Sequence, residues 1–555
     1  MTNKEFADFL LPNVEHTWEE YEAMYPERDL PEGAIVTRYA PSPTGLPHMG
    51  NFFQCFMSKV FSKQTKGVFF IRIEDTDTER TVENGIQNIL DALRPFKIEF
   101  TEGYISETEE RGNYGPYKQS DRMNIYKAFA KKLIEEEKAY ASFLSKEELE
   151  EIRTKQAANK ERLGIYGRYA KDRNLSKEEV INKINNGESY IIRMKSPGSF
   201  FNKVKFTDLI KGTIEMPEND IDEVIIKSDG LPTYHFAHVI DDHLMRTNVV
   251  IRGDEYVSST NKHLQMFEML GFEPVRYAHI APLTKNDEGT IRKISKRKDP
   301  EAKLLYYIEQ GIPIEAVNLY LATITNSNFE GWLDQNPNGK IEDFKFDFKK
   351  CSSSSGTLFD LPKLLNISKN YISRLTKDEV YDATLEYAEK YDSELLEILK
   401  KYPDYSKDIF NIERQQKKPR KDYEKYSDVK GQIWYMYDEL FDKYASEYGY
   451  DYQAITDKEE IKNIINTYID KYYDENDDKE TWFNKVKELS ESLGYASNMK
   501  DYKENPDNYK GNVADVSTVL RVALTTKSMT PDLYEIMKLL GKERIEKRIL
   551  SIINK

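Results

Sequence analysis

His48 and Gly50 are residues whose types and spacing suit the binding of a phosphate. They follow the proline-rich segment RYAPSPTGLP (38–47). This segment overlaps the end of a strand-like run, AIVTRYA, and precedes a stretch with apolar residues at helical spacing. Such a loop, at the carboxyl edge of a parallel sheet, presents free N–H groups and the positive end of a helix dipole. We expect His48 to donate a hydrogen bond to phosphate and Gly50 to let adenine and ribose approach the backbone. Alone, the segment also fits a turn that caps an ordinary helix.

The segment IRKISKRKD (291–299) contains a second set of residues that suit the binding of phosphate. Its residues Lys293, Lys296 and Arg297 flank a serine and follow NDEGT, which predicts a mobile cationic loop. Such a loop can close over an α-phosphate and pyrophosphate as negative charge develops in a transfer reaction. A solvated basic turn is the alternative for this segment alone, but together with PHMGN it favours a nucleotide site.

Length and composition indicate a folded protein of several domains. With 555 residues the chain is too long for one core, and typical domain sizes predict roughly three to five domains. The net charge of −15 argues against a protein that coats itself with nucleic acid, while local basic surfaces remain compatible with it. No apolar run is long enough to cross a membrane and the N-terminus does not resemble a signal peptide, so we expect a soluble cytoplasmic protein. The two cysteines, Cys55 and Cys351, predict neither disulfides nor a cysteine zinc site.

The elements that must position these segments begin with a β-α-β-α order. Residues 1–32 predict a short helical extension, which is followed by the strand AIVTRYA and a helix over about 48–66. A second strand, VFFIRIE, and a second helix, VENGIQNILDALRPF, come next. This alternation predicts a parallel sheet.

The alternation is interrupted between about 110 and 220, where charged helices and short strands such as SYIIRMK predict an insertion. EVIIK (223–227), TYHFAHVIDDHLM, NVVIRG and NKHLQMFEMLG then alternate again, which predicts that the sheet resumes at EVIIK. Helices dominate from about 301 onward, with linkers predicted at 326–340 and at CSSSSG (351–356).

These motifs together resemble a known family. APSPTGLPHMGN resembles the "HIGH" motif region, and KISKR the "KMSKS" motif, of class I aminoacyl-tRNA synthetases. RYAPSPTG, FIRIEDTD, SDGLPTYHFAHVIDDHLM and VIRGDEYVSST are similar to the bacterial glutamyl-tRNA synthetases over most of 33–330, and LRVALTTKSMTPDLYEIMKLLGKER is similar to their C-terminal helical cage. The resemblance implies an α/β fold, with a Rossmann-like parallel-sheet catalytic domain, an α+β insertion and an all-α C-terminal anticodon-binding region.

The resemblance also implies a division of the chain. We expect an N-terminal extension at 1–32, the first half of the catalytic domain at 33–110 and an inserted acceptor-binding domain at 111–220. The second half of the catalytic domain is expected at 221–300, a stem-contact helical domain at 301–375 and helical anticodon-binding domains at 376–555.

A glutamate pocket is implied by the same resemblance. Glutamate brings two carboxylates and one ammonium group, so its pocket needs two cations and one anion, and arginine binds carboxylate in bidentate fashion. Arg38 and Arg252 would hold the carboxylates and Glu74 the ammonium group, while the choice of arginine for the side-chain carboxylate stays open. Further residues implied to line the pocket are Ala40, Ser42, Tyr234 and His238.

An ATP site and a reaction are implied as well. The residues implied to bind ATP are His48, Gly50, Asn51, Glu255, Tyr256 and Lys296. The glutamate carboxylate would attack the α-phosphate in line, giving glutamyl-adenylate and pyrophosphate, and glutamate would pass to a terminal ribose hydroxyl of tRNA(Glu). With Mg²⁺ accompanying ATP, catalysis would rest on positioning and charge stabilisation by His48, Lys293, Lys296 and Arg297.

Three positions depart from the family's usual pattern. His238 stands where Asn is common, facing the amino acid, and a histidine still donates one hydrogen bond. Asn51 replaces the usual Gly, Thr or His, a change we expect a helix start to tolerate. Ser142 stands where zinc-bearing members carry Cys, so no zinc is expected.

Two other functions were weighed against this interpretation. His235, His238 and Asp242 lie at helical spacing and could bind metals for phosphate ester hydrolysis. A non-catalytic paralogue that only binds tRNA is the second alternative, and the presence of both KISKR and PHMG argues against it.

The tRNA partner follows mainly from the resemblance. The basic stretches ERQQKKPRKD (413–422) and LGKERIEKR are candidates for phosphate contacts, although such charge runs are more often solvated faces. The helices after KISKR argue against truncated relatives that modify a tRNA base, and against the β-barrels of a glutaminyl enzyme. Whether tRNA(Gln) is also charged stays open, and we expect a monomer with no membrane partner.

Overall fold

Two short helices, α1 (Asn3–Leu10) and α2 (Trp18–Met24), precede the first strand in the computed structural model, which describes residues 1–352 and 356–553. Each begins with a capping box, in which a threonine hydroxyl and a glutamate three residues later satisfy each other's backbone N–H groups. The predicted helical extension is confirmed.

The parallel sheet begins with β1 (Val36–Tyr39), β2 (Val68–Ile71) and β3 (Glu102–Ser106), and β4 (Glu109–Arg111) adds an antiparallel edge. Helix α3 (Met49–Gln64) follows β1, and α4 (Gly85–Leu93) follows β2. All residues of β1 and β2 are buried, as expected for parallel strands covered on both faces. The predicted β-α-β-α opening is confirmed, and it brings the residues after β1 and β2 to one edge of the sheet.

Helix α5 (Met123–Glu135) begins a region, residues 123–226, that contains a second, antiparallel sheet. Its remaining elements are β5 (Ala139–Ser142), α6 (Lys146–Ala158), α7 (Lys177–Asn185), β6 (Ile191–Met194), the hairpin of β7 (Lys203–Asp208) and β8 (Gly212–Pro217), and β9 (Val224–Ile226). The sheet order is β5-β6-β9, with Ile192 opposite Ile226. The prediction that the parallel sheet resumes at EVIIK is therefore wrong, because a short apolar run indicates a strand without identifying its partner.

The parallel arrangement resumes with the next four elements, α8 (Tyr234–Leu244), β10 (Val249–Gly253), α9 (Thr260–Leu270) and β11 (Arg276–Ile280). Strands β10 and β11 are parallel. Asn248 joins them to β1, since its backbone N–H donates to the carbonyl of Val36 at 3.1 Å and its side-chain oxygen accepts the N–H of Val36 at 3.0 Å. The carboxyl end of β10 is thereby set beside that of β1.

A small sheet of β12 (Leu283–Asp287), β13 (Thr290–Lys293) and β14 (Thr357–Leu358) presents the basic segment. The helices between its strands are α10 (Leu304–Glu309), α11 (Ile314–Thr325) and α12 (Phe329–Gln335). The linker predicted at 326–340 is wrong for α12, because Phe329 is fully buried against Phe344 and Phe346, with ring centroids 5.2 and 5.7 Å away. Of the linker predicted at CSSSSG (351–356), residues 353–355 lie outside the described residues.

The chain divides into two units, Met1–Tyr306 with Asn318–Asp360 and Tyr307–Val317 with Leu361–Lys555. The second unit is helical, as predicted, and its core includes Val380, Leu399, Ile464 and Val516. Its further helices are α13 (Leu361–Arg374), α14 (Lys377–Tyr391), α15 (Ser393–Lys401), α16 (Pro403–Asn411), α17 (Val429–Ile433), α18 (Asp438–Tyr448), α19 (Lys458–Thr467), α20 (Lys479–Ser492), α21 (Met499–Glu504), α22 (Val513–Thr525) and α23 (Leu533–Ile553), the last interrupted at Gly541.

None of the helices in the described part of the chain has the length and apolar character needed to cross a membrane.

Candidate active site

The imidazole of His48 caps the N-terminus of α3. Its Nδ1 accepts the backbone N–H of Asn51 at 3.2 Å, and the side-chain oxygen of Asn51 accepts the backbone N–H of His48 at 3.2 Å. Burial, together with the charges of Lys296 and Lys293, lowers the pKa of His48 to about 4, so the ring is neutral at pH 7. A neutral ring whose Nδ1 accepts a hydrogen bond carries its proton on Nε2, which makes Nε2 a donor.

Gly50 lies against the ring of His48. A β-carbon at Gly50 would stand 2.8 Å from Cε1 and 3.0 Å from Nδ1 of that ring. Glycine therefore leaves room for the capping histidine, a reason that sequence reasoning did not find.

A cavity of about 530 Å³ opens beyond the carboxyl ends of β1, β2 and β10. Its wall contains most of the residues predicted for glutamate and ATP, namely Arg38, Ala40, Ser42, His48, Asn51, Glu74, Tyr234, Arg252, Glu255, Tyr256 and Lys296. A smaller space of about 70 Å³ shares His48, Asn51 and Glu255 with it and is also lined by Gly50 and Lys293. Arg297 and His238 line neither space.

Arg38, at the end of β1, is only 2% exposed. Its Nε donates to the carboxylate of Asp242, at 3.0 Å to Oδ1 and 3.2 Å to Oδ2. Its terminal nitrogens make no hydrogen bond to another residue in the described part of the chain. Because Arg38 also lines the cavity, these nitrogens are available to a carboxylate there.

Arg252, at the end of β10, is held by several side chains. Its Nε donates to Nε2 of His279 at 3.0 Å, and Nη2 donates to Oγ1 of Thr260 at 2.9 Å. Nη1 lies 3.2 Å from Nδ1 of His263. His279 in turn lies 2.6 Å from the carboxylate of Asp208. This network fixes the guanidinium group of Arg252 against the cavity wall.

Glu74 lines the same cavity as Arg38 and Arg252. Its Oε1 accepts a hydrogen bond from Nη2 of Arg72 at 2.9 Å, and Oγ of Ser42 donates to its backbone carbonyl at 2.8 Å. Burial raises the pKa of Glu74, and the charges of Arg72 and Arg38 oppose that shift. The cations Arg38 and Arg252 and the carboxylate of Glu74 therefore line one cavity.

Tyr234 and Tyr256 form an aromatic side of the cavity, with ring centroids 5.6 Å apart. Burial raises the pKa of both phenols, so their hydroxyl groups stay protonated near neutral pH and can donate.

His238 is placed behind the cavity wall rather than in it. It is fully buried, with Nδ1 2.6 Å from Oδ2 of Asp242 and Nε2 3.1 Å from the hydroxyl of Tyr277. Burial lowers its pKa to about 4. Tyr234 and His238 are one turn apart on the same face of α8, with ring centroids 5.9 Å apart, and Tyr234 lines the cavity while His238 does not. The contact of His238 with glutamate stays a prediction.

The basic segment lies over the turn that carries His48. The ammonium group of Lys296 donates to the backbone carbonyl of Leu46, and burial lowers the pKa of Lys296. Arg292 holds the loop by bidentate hydrogen bonds to Asp299 at 2.7 and 2.8 Å. Arg297 is exposed, away from both spaces.

The metal-dependent alternative is not favoured. Asp242 is already in contact with Arg38, Arg72 and His238, while Nδ1 of His235 lies 2.8 Å from Nε2 of His263. Among residues 1–352 and 356–553, no group of three or more His, Cys, Asp or Glu is arranged to hold a metal ion.

Sequence reasoning missed several wall and network residues: Arg72, Gln54, Thr76, Asp77 and Arg80. One signal was available for Arg72, since residues two apart in an extended chain point the same way and Glu74 was already assigned to the pocket.

The second of the two units, which is called the C-terminal unit below, contains a cavity of about 950 Å³. Its lining includes Arg420, which belongs to the predicted basic stretch, together with Arg521, Trp482 and Phe483. Cations beside aromatic rings suit phosphates and stacked bases.

A Rossmann-like sheet that places a capping His-x-Gly turn beside a Lys-x-Ser-Lys loop defines the class I aminoacyl-tRNA synthetases. The model of the "tRNA synthetases class I (E and Q), catalytic domain" family matches residues 34–331, and an anticodon binding domain model matches 417–553. The chain belongs to this E and Q family of class I tRNA synthetases.

Similar relatives span the whole chain. A glutamate–tRNA ligase of Clostridium perfringens is 47% identical over 549 residues, covering 99% of this chain and 100% of the relative. A glutamate–tRNA ligase of Acetivibrio thermocellus is 44% identical over 557 aligned positions, covering 100% of both. A solved glutamate tRNA ligase from Elizabethkingia meningosepticum, in complex with its amino acid, shares the fold with a TM-score of 0.72 at 23% identity, covering 94% of this chain and 99% of that one.

Proposed function

We propose that the chain is a glutamate–tRNA ligase. It activates L-glutamate with ATP to glutamyl-adenylate and pyrophosphate, and then transfers glutamate to the 3′-terminal adenosine of tRNA(Glu). One observation carries the choice of amino acid: Arg38, Arg252 and Glu74 line one cavity, and they complement the two carboxylates and one ammonium group of glutamate. The full-length relatives named glutamate–tRNA ligase support it.

The nucleotide lies between the turn of α3 and the basic loop in this proposal. Nε2 of His48 donates to a phosphate oxygen, and the ammonium group of Lys296 leaves Leu46 for the phosphates. Lys293, Gly50, Asn51, Glu255 and Tyr256 border ATP, with Lys293 reaching it from the smaller space. Arg297 joins the phosphates only through a movement of its loop.

Catalysis needs no side-chain nucleophile. The α-carboxylate of glutamate attacks the α-phosphate and the bond to pyrophosphate breaks, so the protein must hold two anions in line and stabilise the charge of the leaving group. Mg²⁺ arrives with ATP as part of the metal–nucleotide substrate and neutralises part of the phosphate charge.

The C-terminal unit binds the tRNA in this proposal. Arg420 and Arg521 supply charge and Trp482 and Phe483 supply stacking surfaces at its cavity, within the region matched by the anticodon binding domain model. We further propose a cytoplasmic monomer. Charging of tRNA(Gln) in addition to tRNA(Glu) is decided by the aminoacylation test below.

The test is aminoacylation of purified tRNA(Glu) and tRNA(Gln) with labelled glutamate or glutamine. Glutamate should be attached to tRNA(Glu), and Arg38→Ala should raise the KM for glutamate far more than the KM for ATP, because the hydrogen bonds it removes go to a charged group. Attachment of glutamine in preference to glutamate, or equal effects of Arg38→Ala on both substrates, would overturn the assignment.

A further inference from the structure

Asp242, on α8, is fully buried and makes three contacts with charged or titratable groups. Its carboxylate accepts hydrogen bonds from Nε of Arg38 at 3.0 Å and from Nη1 of Arg72 at 2.8 Å. The carboxylate also lies 2.6 Å from Nδ1 of His238. The cavity wall includes Arg38 but not Asp242. Asp242 therefore acts on the cavity only through another residue.

The contact with Arg38 fixes a direction. A guanidinium group is planar, so a partner held on the Nε edge sets where both terminal nitrogens point. Asp242 occupies that edge, and the terminal nitrogens of Arg38 remain without a hydrogen bond to any residue in the described ranges 1–352 and 356–553.

Asp242 is itself held from two other directions. Arg72 is completely buried and bridges Asp242 to Glu74, with Nη2 2.9 Å from Oε1 of Glu74. His238 is backed by the hydroxyl of Tyr277 at 3.1 Å. The proposed cation and the proposed anion of the glutamate pocket are thus joined through Asp242 and Arg72.

We propose that Asp242 is the positioning residue of the amino acid pocket, which orients the guanidinium group of Arg38 toward a carboxylate of bound glutamate. Arg72 and His238 hold Asp242 in place for this role. The proposal rests on the glutamate–tRNA ligase function, and it gives His238 a task behind the wall instead of a contact with the substrate.

The neighbouring Asp241 provides a matched control. It is equally buried, but its carboxylate accepts hydrogen bonds from Nε of Arg122 at 2.7 Å, from the amide of Gln119 at 2.8 Å and from the hydroxyl of Tyr126 at 2.8 Å. None of these three partners lines the cavity, and the approach of Asp241 to Arg72 is longer, at 3.7 Å from Nε. Replacing either aspartate removes a buried charge, but only one of them holds Arg38.

The experiment compares Asp242→Asn with Asp241→Asn in steady-state aminoacylation of tRNA(Glu), with glutamate and ATP varied separately. Asp242→Asn should raise the KM for glutamate about tenfold, because a charge-assisted hydrogen bond is replaced by a neutral one, and should leave the KM for ATP within about twofold. Asp241→Asn should lower thermal stability without a change specific to glutamate. An unchanged glutamate KM in Asp242→Asn, or the same shift in both variants, would overturn the proposal.

A third variant keeps the test decisive if Asp242→Asn does not fold. His238→Asn removes one support of Asp242 and leaves the carboxylate with both arginines, so the KM for glutamate should rise about threefold with no matching rise for ATP. No glutamate-specific change in folded His238→Asn would then refute the role of His238 in holding Asp242. Failure of the wild-type protein to use glutamate at all would instead refute the function on which the proposal rests.

Discussion

Asn51 and His48 satisfy each other at the start of α3, through two hydrogen bonds of 3.2 Å between the side chain of one and the backbone N–H of the other. Asn51, one of the three residues that depart from the usual family pattern, thus completes a capping box with His48, the residue proposed to contact phosphate. The cap holds the ring through Nδ1, and His48 lines the cavity.

Replacing Asn51 should separate stability from nucleotide binding. Asn51→Ala should lower the free energy of unfolding of the catalytic unit by about 1 kcal/mol, because the cap is lost. Asn51→Asp keeps an accepting oxygen and should retain stability, but its charge beside the phosphates should raise the KM for ATP about fivefold. Thermal melts and ATP titrations check both, and an ATP KM unchanged in Asn51→Asp would contradict the placement.

Gly50→Ala should reduce activity without reducing stability. The new β-carbon would stand 2.8 Å from Cε1 of His48, so the ring must move, and a misplaced catalytic group costs about tenfold or more in kcat. Alanine otherwise favours a helix over glycine by up to about 1 kcal/mol. Gly331→Ala, at a helical glycine with nothing within 4 Å, is the control and should leave kcat unchanged. Equal activity of the two variants would count against the contact.

The pH dependence of stability should report His48. The pKa of His48 is lowered to about 4 in the folded chain, from the ordinary value of 6.5, so the unfolded state binds more protons between these values. Stability present above pH 6.5 is therefore lost as the pH falls toward 4, with a slope of at most about 1.4 kcal/mol per pH unit for this group.

His48→Asn isolates that contribution, since asparagine is a good N-cap and the other buried histidines are unchanged. Urea midpoints measured at pH 7 and pH 5 should fall less in the variant than in the wild-type protein. Identical falls would show that His48 is not held neutral.

Lys296 and Arg297 should differ in importance, although both were predicted from the same motif. Lys296 lines the cavity and Arg297 does not. Lys296→Ala should lower kcat about a hundredfold to a thousandfold, as expected when a preorganised charge is removed from a transition state. Arg297→Ala should stay within about fivefold of the wild-type value. A larger loss in Arg297→Ala would mean that the loop rearranges to bring Arg297 to the phosphates.

Local sequence patterns predicted the strands and helices that bear the site. The apolar runs of β1 and β2, the helical spacing of α3 and the turn before it are contained in short segments, so their arrangement at one sheet edge could be expected. Most of the site residues that the motifs identified line one cavity in the structure.

The remainder depended on contacts between distant parts of the chain. Strand β9 pairs with β6. Helix α12 packs through Phe329 against Phe344 and Phe346, which lie beyond the helix in the chain. His238 and Asp242 are one helical turn apart, but the Arg38 that contacts Asp242 lies 204 positions earlier in the chain. No local window contains such a relationship.

The most direct test is amino-acid-dependent ATP–pyrophosphate exchange with and without tRNA(Glu), on chelator-treated protein resupplied with Mg²⁺ alone. Arg38, Arg252 and Glu74, which line the cavity, predict exchange with glutamate and far less with glutamine, which lacks the second carboxylate. Exchange that is equal with both amino acids, or absent with both from folded protein and competent tRNA, would contradict the assignment of a glutamate-activating site.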